Sequence, residues 1–265
     1  MIVINIDPIL AMIGPFAVSW HGFFSAVGIL IGLWVAAQLV RKAGIDKEHV
    51  YNTAIWAVPA GIVGARLFHV VDKFEYYAAN PLAILAIQEG GLAIYGGLAG
   101  GILAGVLYAR RHNLPLGRFA DAIAPALILG QAIGRIGDVI NGEHRSLPAD
   151  LPWSVVYTHP NTAGERGLAV HPAVGYELVW DLAVFGVLLW LLGRLPRSGT
   201  LFWAYVALYA VGRFWTGFFR EDTVVSFGLR QAQLIAIAGI LTVGIYVSCW
   251  WRGRRRKNEV PYIGR

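Results

Sequence analysis

The sequence contains repeated apolar stretches that are each long enough to cross a lipid bilayer. The first, Val18 to Val40, has 23 residues and no charged side chain. An α-helix rises about 1.5 Å per residue, so this stretch exceeds the roughly 30 Å thickness of the hydrocarbon layer. Backbone groups in lipid must be hydrogen-bonded within their own segment, which favours helices. The chain is therefore expected to be an all-α integral membrane protein.

Six further stretches share this character, and each is expected to form another spanning helix. They are Val50 to Val71, Leu92 to Tyr108, Phe119 to Ile140, Val174 to Leu192, Gly199 to Phe219 and Gln231 to Trp251. Seven spans predict one polytopic membrane domain over residues 1–265. The apolar segment Pro81 to Glu89 is too short to cross and predicts a short interfacial helix. With 57% hydrophobic and 14% charged residues, the composition excludes an ordinary water-soluble enzyme.

The distribution of Lys and Arg predicts the orientation of the chain. Seven spans place alternate connections on opposite sides, and 14 of the 22 Lys and Arg residues fall on one side against five on the other. The richer side is cytoplasmic by the positive-inside rule. The N-terminus is therefore expected outside, and the basic tail, residues 252–265, inside. This tail is interpreted as an anchor at the anionic inner leaflet and not as a segment that binds nucleic acid.

The longest connection, residues 141–170, lies on the predicted outer side and contains three prolines. About 30 residues is longer than a simple linker needs. We therefore expect a small extracytoplasmic head in this region.

Three arginines, Arg66, Arg135 and Arg213, lie inside predicted spans, each toward the outer end. An arginine at the centre of a membrane costs about 2.5–3.5 kcal/mol on insertion scales, so each needs a partner. One interpretation is pairing with carboxylates, Arg135 with Asp138 and Arg66 or Arg213 with Glu177. The other, favoured for three cations at one depth, is an anion site, and the abundant anion there is a phospholipid phosphate.

Glycines accompany these arginines and recur at Gly96 and Gly97. They permit either close approach of backbone amides to a phosphate or close packing of two helices, and both interpretations remain open. At the same level, His21 and Tyr95 begin spans one and three. These two side chains are candidates for acid–base chemistry.

The run Gly134 to Glu143, GRIGDVINGE, closely resembles the signature of the bacterial prolipoprotein diacylglyceryl transferases. Further segments of that pattern occur around it in the expected order. They are Gly64-Ala65-Arg66, the run Gly90 to Gly97, Leu151-Pro152-Trp153, His171-Pro172, Tyr176-Glu177, Arg213 and the run Phe218 to Asp222. The resemblance extends over most of the chain, from Trp20 to Leu234.

This resemblance implies an enzyme that transfers the sn-1,2-diacylglyceryl group of phosphatidylglycerol to the lipobox cysteine of a prolipoprotein signal peptide. A thioether forms, glycerol phosphate leaves, and neither a metal nor a cofactor is implied. The implied partners are this lipid, the prolipoproteins and the surrounding membrane lipids, without nucleic acid. The implied fold is a seven-helix body with an extracytoplasmic head in the bacterial inner membrane, and the active site is on the outer face.

The resemblance also implies roles for individual residues. Arg135 and Arg213 match the family's phosphate-contacting arginines, and Asn141 and Glu143 match its signature polar residues. Cations suit a leaving phosphate because its negative charge grows as the bond breaks. Other residues of the matched motifs are expected to bind substrate: Arg66, Gly96, Gly97, Asp138, Tyr176 and Glu177.

One pair of positions departs from the family pattern by exchanging His and Tyr. Many members have Tyr in the first-span motif, where this chain has His21, and His before Gly-Gly, where it has Tyr95. The exchange suggests that the two side chains face each other, with His21 as the proton acceptor and Tyr95 as its hydrogen-bond partner. The alternative is independent drift, in which neither group is essential.

A second pair of positions concerns a carboxylate. The family usually has Asn where this chain has Asp138, and Glu where it has Gly217. The hypothesis is that Asp138 balances Arg213 or Arg135 in place of the missing Glu. Asp138→Asn should then be harmful, and Gly217→Glu should rescue it.

A lipid or anion transporter is the main alternative function, because it too would use buried arginines. A carrier needs polar groups through the whole membrane thickness, whereas here they are concentrated in the outer half. An intramembrane protease is disfavoured because the sequence has neither an H-E-x-x-H nor a G-x-S-x-G motif.

Overall fold

The computed structural model of the protein describes residues 1–14, 16–87, 90–195 and 197–258, with side chains as far as residue 250. The helices in this part of the chain are α1 (Trp20–Lys42), α2 (Glu48–Asp72), α3 (Phe74–Ala79), α4 (Ile94–Arg111), α5 (Leu116–Asn141), α6 (Ala173–Leu191), α7 (Thr200–Thr216) and α8 (Gln231–Asn258). Each predicted span corresponds to one long helix, and α3 is an additional short one.

Five of the described helices are long and apolar enough to cross a membrane: α1, α2, α5, α6 and the part of α8 from Gln231 to Trp250. The other two predicted spans, α4 and α7, have 18 and 17 residues. Large apolar side chains on the outer faces are exposed, as Trp56 is by 65%, which suits contact with lipid. The protein is therefore a helical membrane protein, and crossing by α4 and α7 stays a prediction.

Several ends of these elements follow from local sequence. The first turn of α1 is capped by Ser19, whose Oγ accepts a hydrogen bond of 3.0 Å from the Gly22 amide. Asp46 Oδ1 accepts a bond of 3.1 Å from the amide of Glu48, where α2 begins. The predicted interfacial helix is a 3₁₀ helix, Pro81–Leu85, and Gln88 and Glu89 of that prediction lie outside the described residues.

The chain divides into two compact units, and the second of them comprises Leu33–Ile123. Helices α2 and α4 pack closely in this unit through glycines. A Cβ added to Gly61 would lie 3.3 Å from the carbonyl oxygen of Gly97, and one added to Gly64 would lie 3.2 Å from Gly100 Cα. Only residues without side chains allow this approach of two backbones.

The first unit comprises Met1–Gly32 and Ala124–Arg265. Its buried core includes Ile128, Val184, Leu188 and Leu201, against which apolar residues of α6 and α7 pack. The parts of α1 and α5 in this unit meet at two glycines. A Cβ on Gly28 would lie 2.5 Å from the carbonyl oxygen of Gly130.

The described residues also form short strands that the sequence did not predict. They are β1 (Ile2–Ile4), β2 (Ile9–Ile13), β3 (Phe16–Ser19), β4 (Val155–Tyr157), β5 (Ala169–Val170), β6 (Val224–Ser226) and β7 (Leu229–Arg230). Strand β4 is parallel to β1, with Val3 opposite Val156, and antiparallel to β5. The predicted head, residues 141–170, thus supplies two strands of a three-stranded sheet, and the N-terminus supplies the third. Strands of two to five residues are too short for an alternating pattern to reveal them.

Candidate active site

The C-terminal end of α5 places several predicted site residues. The helix ends at Asn141, and the next residue, Gly142, has a left-handed φ of 71°. The amide of Glu143 donates a 3.0 Å bond back to the carbonyl oxygen of Asp138. This is the hydrogen bond of a Schellman cap. A Cβ at Gly142 would lie only 2.7 Å from Thr162 Oγ1, so both conformation and space require glycine. The Asn141 amide then donates to the carboxylate of Glu143 at 3.3 Å.

The carboxylate of Glu177, on α6, contacts three arginines from different parts of the chain. Its Oε2 lies 2.9 Å from Arg135 Nη2, and its Oε1 contacts Arg213 Nη1. The same Oε1 lies 3.4 Å from Arg220 Nε and accepts a 3.2 Å hydrogen bond from Thr216 Oγ1. Glu177 is only 5% exposed. A buried carboxylate with this set of partners is held in one orientation.

Asp138 is the second carboxylate of the cluster and is 3% exposed. Its Oδ2 accepts a 2.8 Å hydrogen bond from Arg135 Nη1, and its Oδ1 contacts His21 Nδ1. His144 Nε2 lies 4.0 Å from Oδ2. The pairing interpretation expected Arg135 with Asp138, and this pair is present. Of the two arginines it offered to Glu177, the one in contact is Arg213.

Arg220, which lies in the matched run Phe218 to Asp222, also belongs to this cluster, although the sequence did not predict it as a site residue. It is 2% exposed, and Nη2 is buried with no hydrogen-bond partner among the described residues. Burial lowers the pKa of Arg220 to about 10, which leaves the guanidinium group charged at neutral pH. The direct contacts therefore join three guanidinium groups with two carboxylates, which is an excess of one positive charge.

Two clefts border the cluster. The smaller, of about 220 Å³, is lined by Arg135, Glu177, Trp180, Asp181, Tyr209, Gly212 and Arg213. The larger, of about 460 Å³, lies among residues of the loops that follow α5 and precede α6. Its polar lining is Glu143, His144, Arg145, Ser146, Tyr157, Glu165, His171 and Glu221. One residue of this lining, His144, is the link to the cluster, because its Nε2 lies 4.0 Å from Asp138 Oδ2.

Tyr176, the neighbour of Glu177, lies in an aromatic group at the start of α6. Its hydroxyl accepts a 2.9 Å hydrogen bond from Trp153 Nε1 and lies 3.4 Å from His171 Nδ1. Its ring packs against Trp215 and Phe219. These contacts join the predicted head to α6 and α7.

Arg66 has a different environment from the one predicted. Its Nε donates to the carbonyl oxygen of Ile84 at 2.9 Å, and Nη1 donates to those of Gly90 and Gly91 at 2.7 and 3.1 Å. Nη2 donates to the carbonyl oxygens of Ala83 and Ala86. A guanidinium group has five N–H donors, and these five contacts occupy all of them. This geometry favours a structural role for Arg66 over the predicted phosphate contact.

Gly96 and Gly97 also lie in the second unit, at the start of α4. A Cβ on Gly96 would overlap the carbonyl oxygen of Gly64, whereas one on Gly97 would lie 3.5 Å from Ala65 Cβ. The close contact at Gly96 is one of helix packing, and the expected substrate contact of this glycine stays a prediction. Tyr95 is in the first turn of the same helix, and its predicted pairing with His21 stays a prediction.

The two departures from the family pattern have distinct surroundings. Asp138 contacts Arg135, one of its two predicted partners, while Arg213 is paired with Glu177. Gly217 lies against Gln233, because a Cβ there would be 2.6 Å from Gln233 Cγ.

The structure brings together five predicted residues in its first unit. They are His21, Arg135, Asp138, Glu177 and Arg213.

Comparison with known proteins gives one consistent result. A family model described as prolipoprotein diacylglyceryl transferase matches residues 8–250. The phosphatidylglycerol–prolipoprotein diacylglyceryl transferase of Trichormus variabilis is 37% identical over 259 residues, which cover 94% of this chain and 91% of that protein. The proteins of the same name from Clostridioides difficile and Gloeobacter violaceus are 35% and 37% identical, and the matches cover 92% and 96% of this chain and 94% and 96% of those proteins.

Proposed function

The chain belongs to the prolipoprotein diacylglyceryl transferase family, and we propose that it transfers the sn-1,2-diacylglyceryl group of phosphatidylglycerol to the lipobox cysteine of prolipoproteins. The products are a thioether and glycerol phosphate. The enzyme is a multi-pass protein of the bacterial inner membrane, with seven spans, an outer head at residues 141–170 and a cytoplasmic C-terminus. Residues 259–265 of the predicted basic tail lie outside the described residues.

The observation that carries the proposal is the cluster of three arginines around Glu177. Arg135 and Arg213 line the smaller cleft together, and their side chains are 18% and 19% exposed. A phosphodiester placed there meets two guanidinium groups that are held in position by the same carboxylate. Such preplaced donors stabilise the charge that develops on the leaving phosphate without reorganising during the reaction.

The larger cleft suits the polypeptide substrate. It lies among the residues of the proposed head and carries both charged and apolar groups, including Glu143 and Val170. Its His144 lies 4.0 Å from Asp138 Oδ2, so one residue of its lining is close to the cluster. Asn141 and Glu143 hydrogen-bond to each other beside it, and the Asn141 Oδ1 is buried with no hydrogen-bond partner among the described residues. Buried polar atoms of this kind are candidates for substrate contact.

The test is transfer of radiolabelled diacylglyceryl from phosphatidylglycerol to a lipobox peptide by the purified protein. We expect label on the cysteine peptide and not on a serine peptide, with one glycerol phosphate released per peptide modified. Arg213→Ala should lower the rate by about 100-fold or more, the usual effect of removing a donor from a developing anion. Arg110→Ala is the control, because Arg110 lies in the last turn of α4. Lipid binding without transfer by the wild-type protein would instead support the transporter alternative.

A further inference from the structure

The first turn of α1 lies unusually close to α5 in the first unit. A Cβ on Gly137 would be 2.5 Å from the carbonyl oxygen of Trp20 and 2.7 Å from His21 Cα, both of which are backbone atoms. Only glycine fits this position. The close approach places the imidazole of His21 on the carboxylate of Asp138, although 117 residues separate them in sequence.

The carboxylate of Asp138 is shared between two partners. Its Oδ1 contacts His21 Nδ1, while its Oδ2 accepts the 2.8 Å bond from Arg135 Nη1. An ionised carboxylate only accepts hydrogen bonds, so His21 Nδ1 is the donor and carries the hydrogen. In the neutral imidazole, Nε2 then has the free lone pair. The side chain of His21 is 49% exposed, against 4% for that of Asp138, so the ring is open to a substrate.

We propose that His21 is the general base of the transfer reaction and that Asp138 is the positioning residue that fixes its tautomer. This inference rests on the proposed function. His21 Nε2 accepts the proton of the substrate thiol, and the sulfur attacks the glyceryl carbon of phosphatidylglycerol. The carbon–sulfur bond forms as the carbon–oxygen bond to the phosphate breaks. The electron pair of that bond leaves on glycerol phosphate, and the imidazolium then gives its proton to the solvent or the departing phosphate.

A base is needed because the thiolate, and not the thiol, is the nucleophile. The arrangement of a base oriented by a buried carboxylate is the general geometry of an activated nucleophile. Arg135 links this pair to the phosphate site, since Nη1 contacts Asp138 and Nη2 contacts Glu177. One guanidinium group therefore holds both the orienting carboxylate and the centre of the arginine cluster.

The decisive experiment compares a cysteine peptide with a selenocysteine peptide as acceptor. A selenol is already ionised at neutral pH and does not need a base. His21→Ala should lower the rate with the cysteine peptide by about 100-fold, the lower range for a general base. With the selenocysteine peptide, the same variant should keep most of the wild-type rate. Added imidazole should partly rescue the cysteine reaction. His159→Ala is a matched control, because His159 Nε2 lies 3.9 Å from another carboxylate, Asp7 Oδ2, outside the cluster.

Asp138→Asn tests the positioning role. The pH profile of kcat/KM should change shape, because the group that orients His21 has lost its charge, while KM for the lipid changes little. Three charged groups act on the imidazole: Asp138, Arg135 and Glu143. The Glu143→Gln profile is therefore recorded beside it, and a larger change in Asp138→Asn is expected because only Asp138 contacts the ring.

Three results would overturn the inference. Equal losses with the two peptides in His21→Ala would make the residue structural, and His21→Gln with a measured melting temperature checks that the fold is intact. His144→Ala or Tyr95→Phe could instead lose transfer to the cysteine peptide and keep transfer to the selenocysteine peptide, while His21→Ala shows no such difference. That result would assign the base to His144 or Tyr95. Unimpaired transfer to the cysteine peptide by His21→Ala would also exclude His21 as the base. Absence of transfer by the wild-type protein, by contrast, would refute the proposed function itself.

Discussion

Glu177 Oε2 lies 2.9 Å from Arg135 Nη2. The two residues are on α6 and α5, between which the proposed head is inserted in the sequence. The other oxygen of Glu177 contacts Arg213 and Arg220. The carboxylate therefore keeps three like charges within one buried cluster. Without it, these guanidinium groups would repel one another in a region with little water.

Replacing Glu177 by glutamine should destabilise the protein as well as inactivate it. Glutamine keeps the shape of the side chain but removes its charge, and removing one partner of a buried ion pair costs about 3–5 kcal/mol. We expect a lower melting temperature in detergent and no measurable transfer. Glu75→Gln, at an exposed position, is the control for loss of one negative charge. An unchanged melting temperature would show that the cluster does not stabilise the fold.

Arg66→Lys should loosen the segment that follows α3. A lysine has three donors on one nitrogen and cannot reach carbonyl oxygens spread from Ala83 to Gly91. The loss of about 2 kcal/mol, the value of one or two buried hydrogen bonds, predicts about 30-fold faster hydrogen exchange at the Ala86 amide. Arg110→Lys serves as the control. Unchanged exchange combined with weaker binding of phosphatidylglycerol would restore the predicted phosphate contact.

Alanine variants of the neighbouring glycines Gly96 and Gly97 distinguish a role in helix packing from a role in substrate binding. Gly96→Ala should destabilise the protein by about 1–3 kcal/mol, because its Cβ overlaps the backbone of Gly64. Gly97→Ala should remain within about 0.5 kcal/mol of the wild type, since its Cβ makes ordinary contacts at 3.5 Å. Thermal unfolding and transfer are measured on both variants. Lost transfer with normal stability in Gly97→Ala would support the predicted substrate contact there.

Gly217→Glu should fail to rescue Asp138→Asn. The added side chain must displace Gln233, which is fully buried and donates a 3.2 Å hydrogen bond to the carbonyl oxygen of Phe214. We expect the double variant to be less active and less stable than Asp138→Asn alone. Gly217→Ala separates the steric effect from that of charge. A double variant more active than Asp138→Asn would establish that a carboxylate can move between these two positions.

The head should lose stability as the pH falls below about 6.5, through His144. Desolvation and the charges of Arg220 and Arg135 lower the pKa of this imidazole, and Asp138 and Glu177 oppose them only in part. Unfolding restores the ordinary value of about 6.5, so the unfolded chain binds the additional proton as the pH falls. The stabilisation is fully present above that value and is lost below it.

The measurement is the melting temperature between pH 5 and pH 8, compared with that of His144→Asn. Asparagine tolerates the left-handed backbone at this position, where φ is 63°. The wild type should lose more stability than the variant on acidification. Parallel curves for the two proteins would contradict the assigned cause.

The long helices and one ion pair follow from local features of the sequence. Apolar stretches reveal spanning helices because the thickness of the bilayer sets their length, which is a local property of the chain. Arg135 and Asp138 are three residues apart on one helix, so their contact also follows from local geometry. The resemblance placed Arg213 and Glu177 in the same family pattern, but it did not indicate which residues touch.

The environment of each charged group depends on contacts between segments that are distant in the chain. Arg66 and Arg135 both stand beside glycines inside predicted spans. Arg66 donates to backbone carbonyl oxygens, whereas Arg135 donates to Asp138 and forms an ion pair with Glu177. His21 meets Asp138 only because Gly137 lets two helices approach, and Arg220 becomes buried only where the loop after α7 returns to Glu177. Contacts between residues distant in the chain depend on how helices pack, and packing is a property of the whole fold and not of any single segment.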